Sequence, residues 1–251
     1  MSGAGWGAPA WTGWLLGVAA VWLAYGWLAL RRGWAVWRMV VFTLGCAATL
    51  VSAWGLHDPL QSMTGYAAAL MLLGQGVSPL LLLGVPPRQR GAWHDARHAW
   101  WARWLLDPWV AVAVFMLLTL ALNVPGVFDT ALSNAVFSAP IGVLLLLGGL
   151  MMWAQLLDGS RAVRRRWLAG LLGWLAGLPM MLVAAVWVWS GRVLYMPYLD
   201  VLCLWNLSPL QDQHYAGLAM FVAGLPLQLR AAWLLIMGEP DPPGVAARSS
   251  A

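Results

Sequence analysis

Apolar runs of roughly 17–25 residues, the length a helix needs to cross a bilayer, recur along the whole of this 251-residue chain. No other feature narrows the fold as far. In hydrocarbon, every backbone N–H and C=O must be satisfied within the protein, so a long, lipid-facing apolar run must be helical. Charged residues make up 9% of the chain, against about 25% in an ordinary soluble domain. The expected fold class is all-α: a polytopic membrane protein with seven transmembrane helices in a single domain.

The spans are expected at about 11–30, 39–55, 64–85, 108–123, 134–157, 167–190 and 214–237, with 238–251 a flexible tail. All 14 basic residues are arginine, and they are unevenly distributed. The connections after the first, third and fifth spans hold eleven of them, whereas those after the second, fourth and sixth hold only Arg192. The arginine-rich side is the cytoplasmic side by the positive-inside rule, which puts the N-terminus outside and the C-terminus inside. Clusters spread between apolar runs form a topology pattern, and no basic surface for nucleic acid is expected. Residues 1–9 carry no basic side chain, so they read as an uncleaved start rather than a signal peptide.

Many of the 20 tryptophans flank the spans, where an indole is stable at headgroup level. Pro79, Pro140, Pro179 and Pro226 fall inside spans as expected kink positions. Ala216, Gly217, Ala223 and Gly224 have the small-residue spacing that lets membrane helices approach closely. Cys46 and Cys203 are too few and too far apart for a disulfide framework.

Polar groups are expensive near lipid, so their clusters mark candidate sites. The densest is Gln211-Asp212-Gln213-His214, at the start of the last span. His57 and His214 both fall on the expected outer side. With Asp212, Met63 and Met220 they form a candidate metal set, since imidazole and thioether ligands suit Cu(I). The plain alternative is two histidines at helix ends in the headgroup region. His94 and His98, spaced i, i+4, read as part of an amphipathic surface helix. No histidine lies mid-span, so no haem is expected, and no chain of carboxylates crosses the bilayer as in a proton pump. Arg230, inside the last span, is expected to snorkel to the headgroups. There is no Walker loop, His-Glu-x-x-His pattern or nucleophile elbow, and an enzyme is not expected.

Three stretches are similar to CtaG-type cytochrome c oxidase assembly factors: Ser78-Pro79 through Pro86, Val127 through Asn134 with Gly148–Trp153, and Tyr195-Met-Pro-Tyr198 through Met220. Asp212-Gln213 followed by Ala216-Gly217 is the most specific match, with Pro79 marking the third span. The resemblance implies a bacterial inner-membrane protein whose partners are the lipid bilayer and the subunits of a haem–copper oxidase. It also implies assistance with copper insertion from the outer face. Members of that family carry histidine pairs that would fall near Tyr66 and Leu70, and near Ser138 and Gly142; this chain has neither pair. Two other function classes remain. One is a metal-free accessory subunit of a membrane complex. The other is a small-solute transporter, which would need a polar cavity around Cys46, Gln75 and Gln155.

Overall fold

The computed structural model describes residues 6–90, 104, 107–124, 126–127, 129, 137–157, 166–199 and 205–237. Helices dominate and no strand occurs among the described residues. They are α1 (Ala8–Arg31), α2 (Val36–Leu56), α3 (Met63–Gly84), α4 (Pro108–Asn123), α5 (Ser138–Leu157), α6 (Arg166–Trp189) and α7 (Pro209–Ile236). Six of them are long and apolar enough to cross a membrane. The expected seventh span rests on α4, whose 16 residues rise about 24 Å, short of a roughly 30 Å hydrocarbon core. The segment with His94 and His98, part of the lead-in to α5, Cys203 and the tail from 238 lie outside the described residues.

Successive helices alternate in direction. One end of the bundle gathers the starts of α1, α3, α5 and α7, with Asp212 among them. The other gathers Arg31, Arg38, Arg90 and the last turns of α3 and α5. α3 is the most enclosed span and packs against α2, α5 and α7. The most extensively packed pair is α6 with α7, where glycines on both helices remove the side chains that would hold the backbones apart. A Cβ on Gly170 would lie 2.7 Å from Ala231 O, and one on Gly217 would lie 2.9 Å from Ala184 O. The expected packing role of Gly217 and Gly224 is seen in this seam. α1 sits at the rim and buries only Trp14, Tyr25 and Ala29 along its length.

Leu72–Val77 of α3 is π-helical, immediately before Ser78-Pro79. A proline ring clashes with the carbonyl four residues back, here that of Gln75, and a widened turn relieves the clash. Pro179 and Pro226 lie inside α6 and α7 as expected, whereas Pro140 falls in the first turn of α5, where proline costs little.

The helix ends explain one further difference from the sequence reading. α7 begins at Pro209 rather than near His214, because Ser208 and Gln211 form a capping box with Pro209 behind it. That places Asp212 and Gln213 within the opening turns of the helix. At the opposite end, arginines bind helix C-terminal carbonyls, where a cation also complements the dipole. Arg38 donates to Leu83 O and Val85 O at 3.1 and 3.2 Å, and Arg90 donates to Leu82 O. Arg230 is half-buried and donates to Leu156 O at the end of α5, at 3.3 Å.

Candidate functional site

Asp212 is 2% exposed, and its carboxylate is aimed at the start of a neighbouring helix. It accepts the Met63 N–H at 2.6 Å, the Thr64 N–H at 3.1 Å and the Ser62 hydroxyl at 3.0 Å. The Thr64 hydroxyl returns a bond to the Asp212 carbonyl at 2.9 Å. Ser62 is the N-cap of α3 and accepts the Gly65 N–H, so two acceptors share the orphan donors of that helix end. α3 and α7 start at the same end of the bundle. Their positive dipole ends lie side by side, and a carboxylate between them is favourable to both.

Gln213 is fully buried and ties α7 to the connection after α6. Its Oε1 accepts the Leu194 N–H at 2.8 Å, and its Nε2 donates to Trp187 O and Arg192 O, each at 3.3 Å. Trp187 Nε1 donates to the Tyr195 hydroxyl at 2.9 Å, which donates to Asn123 O at 3.1 Å. Tyr198 donates to Pro59 O at 2.7 Å. The tyrosines of Tyr195-Met-Pro-Tyr198 therefore fasten one connection to the ends of α4 and of the α2–α3 turn. Burial pushes the Tyr195 hydroxyl up to about 12, a shift that the Trp187 bond lessens and the nearby Asp129 charge adds to. Burial also pushes the Asp129 carboxyl above its ordinary value.

The two histidines have separate settings. His57 follows α2; its Nδ1 lies 2.5 Å from Trp54 O, and its ring packs against Trp11 and Trp54 with centroids 5.5 and 5.4 Å away. His214 Nε2 lies 3.0 Å from Ser190 O. Met63 and Met220 are both 1% exposed and belong to one apolar cluster with Tyr66, Leu70 and Trp187. Met63 meets Asp212 through its backbone N–H. Among the described residues, no three His, Cys, Asp or Glu side chains converge.

Tyr66, Leu70, Ser138 and Gly142, the positions that the resemblance singled out, are all buried. A Cβ on Gly142 would lie 2.7 Å from Leu56 Cδ1, 3.1 Å from Leu73 Cδ1 and 3.3 Å from Trp14 Cη2. Ser138 accepts the Trp6 indole N–H at 2.7 Å and donates to Leu56 O at 2.5 Å. Tyr66 and Leu70 are 1% and 6% exposed and pack in the same cluster as Trp14, Leu56 and Leu73. A side chain at Gly142 would require the Leu56 and Leu73 side chains to shift. Tyr66, Leu70, Ser138 and Gly142 supply no imidazole, thiolate or thioether, so this set does not fit an intramembrane copper ion.

Cys46 lines an apolar groove between α1, α2, α3 and α5, and neither Gln75 nor Gln155 lines it. Gln75 is buried in the π-helical turn with neither amide atom hydrogen-bonded. Sequence reasoning missed the roles of Ser62, Ser138, Tyr195 and Tyr198. Ser62 alone had a local signal, being a serine directly before an apolar helical run.

No curated protein and no solved structure matches the chain. A protein-family model does match, over residues 10–238, and it describes the cytochrome c oxidase caa3 assembly factor, Caa3_CtaG. The match begins in the first turn of α1 and runs past the end of α7, and the Asp212–Gln213 clamp lies within it. The chain therefore belongs to the cytochrome c oxidase caa3 assembly factor family.

Proposed function

We propose that this protein assists the assembly of a cytochrome c oxidase as a membrane-embedded scaffold whose partners are oxidase subunits. Membership of the family over residues 10–238 carries this reading. The geometry supports a scaffold over a catalyst: the polar groups of the motif, Asp212 and Gln213, are committed to holding helices together. In this reading the chain lies in a bacterial inner membrane and crosses it seven times, with α4 as the short span. The arginine end faces the cytoplasm, by the charge asymmetry of the connections. Deleting the gene in its native host and measuring oxidase by reduced-minus-oxidised spectra tests the role. Assembled oxidase should fall and return with the wild-type gene; unchanged oxidase overturns the proposal.

A second reading, copper passed to the oxidase as cargo on the outer face, is supported by His57 and His214. Each ring has one nitrogen against a backbone carbonyl. A ring that donates through one nitrogen offers the lone pair of the other to a metal. Asp212 contributes nothing further to such a site, because its oxygens already serve α3. Cu(I) titration of the purified wild type and of a His57→Ala/His214→Ala variant decides the matter. Equal binding, or no binding by either, removes this reading.

A further inference from the structure

We propose that the slot between α1 and α2 holds one anionic glycerophospholipid, an acyl chain in the slot and its phosphate at Arg31 and Arg32. The slot is an open groove with a volume of about 450 Å3, lined by residues including Trp22, Tyr25, Gly26, Trp27 and Met39. Its floor is rigid. The Tyr25 ring stacks on Phe42 with centroids 3.6 Å apart and planes 1° from parallel, and its hydroxyl donates to Gly84 O at 2.8 Å. Across its mid-membrane end, Trp22 Nε1 donates to the Thr43 hydroxyl at 3.0 Å, which joins the two helices.

The dimensions select the occupant. From Trp22 to Arg31 the helix rises about 14 Å at 1.5 Å per residue. That is close to half of a roughly 30 Å hydrocarbon core, the depth of one leaflet. A partner helix must cross the whole membrane and would meet the Trp22–Thr43 bridge halfway. A lipid chain from a single leaflet ends there.

Charge selects the headgroup. The Arg31 guanidinium lies 4.2 Å over the ring of Trp27, a wall residue, and Arg32 follows it at the exposed helix end. No Asp or Glu occurs between Met1 and His57, so this hairpin supplies no counter-ion of its own. Arg38 is already engaged by the carbonyls of Leu83 and Val85. A phosphate diester complements the two arginines that remain.

Gly26 provides a clean block, since a Cβ there meets nothing within 4 Å and a larger side chain would enter the slot without disturbing the bundle. Gly17 is the control. It is equally open, but it lines the separate groove that contains Cys46. Protein reconstituted with phosphatidylglycerol and phosphatidylcholine would be analysed by native mass spectrometry for retained lipid. Wild type should retain one phosphatidylglycerol. R31Q/R32Q should weaken its retention about 25-fold, at about fivefold per arginine near an anionic headgroup. Gly26→Leu should abolish it, and Gly17→Leu should leave it intact. Equal retention of the two lipids by wild type overturns the proposal, and so does undiminished phosphatidylglycerol in Gly26→Leu.

Discussion

The Asp212 carboxylate accepts the backbone N–H of Met63 at 2.6 Å, joining the first turn of α7 to the first turn of α3 across 149 positions of sequence. An N-cap normally comes from the residue just before its own helix. Here a neighbouring helix supplies part of the cap, and helix capping becomes a tertiary contact. Because Met63, Thr64 and Ser62 all donate to one carboxylate, its removal strands three buried or half-buried donors at once.

Asp212→Ala should therefore destabilise the folded protein by about 3 kcal/mol, from lost capping and unsatisfied donors. Asp212→Asn, which keeps one acceptor oxygen, should lose less. Thermal unfolding in detergent, followed by tryptophan fluorescence, measures both. An unchanged midpoint for Asp212→Ala would show that the contact contributes nothing.

Gln213 holds the connection after α6 through three backbone groups. Gln213→Leu has a similar volume but removes all three bonds, leaving Arg192 O only its bond from the Ser190 hydroxyl, at a cost of about 2 kcal/mol. The effect should be greatest near Arg192, which is exposed and joined through its carbonyl. Limited trypsin digestion should cut after Arg192 several-fold faster in the variant. An unchanged rate would argue that other contacts hold this segment.

Two glycines should respond in opposite ways to alanine. A Cβ on Gly149 would lie 2.4 Å from Gly74 O and 2.5 Å from Ser78 Oγ, where α3 and α5 meet, so Gly149→Ala should destabilise by about 2 kcal/mol or more. Gly17 in α1 has open space around it, so Gly17→Ala should be neutral or stabilise by about 0.5–1 kcal/mol. Unfolding midpoints of the two variants give the comparison. A Gly149→Ala protein as stable as wild type would contradict the close approach.

Tyr195 gives stability an alkaline dependence. Its hydroxyl titrates at about 12 in the folded chain against 10.0 for the free side chain. The folded state thus favours the neutral form. Its contribution is complete below pH 10.0 and is lost as pH rises from there through about 12, because the unfolded chain releases that proton first. The unfolding midpoint should fall across this window, and Tyr195→Phe should flatten the slope. The same substitution removes the bonds to Trp187 and Asn123, so the variant should also be less stable at neutral pH.

Helix positions were legible in the sequence because burial in lipid is written locally, as length and apolarity. The expected range 64–85 became Met63–Gly84, and 108–123 became Pro108–Asn123. The miss at α7 arose where hydropathy and capping compete. Polar residues from Ser208 to His214 lower the apolar signal, yet the Ser208–Gln211 box starts the helix at Pro209, five residues before His214. The polar cluster at this end was legible as a place of consequence, though not as an arrangement of bonds. Nothing near Asp212 in the chain reveals that its donors lie on α3, and nothing near Ser138 reveals that it links Trp6 to Leu56.

The sequence by itself determined an all-helical membrane chain, its asymmetry of charge and its family, since each depends on residue type and short-range spacing. Only the tertiary structure decided which polar groups serve which helix. It also decided that Gly142 of α5 packs against Leu56, Leu73 and Trp14. The physical reason is the bilayer interior. It leaves a buried donor or acceptor no water to bind, so each must find its partner on whichever helix packing brings alongside.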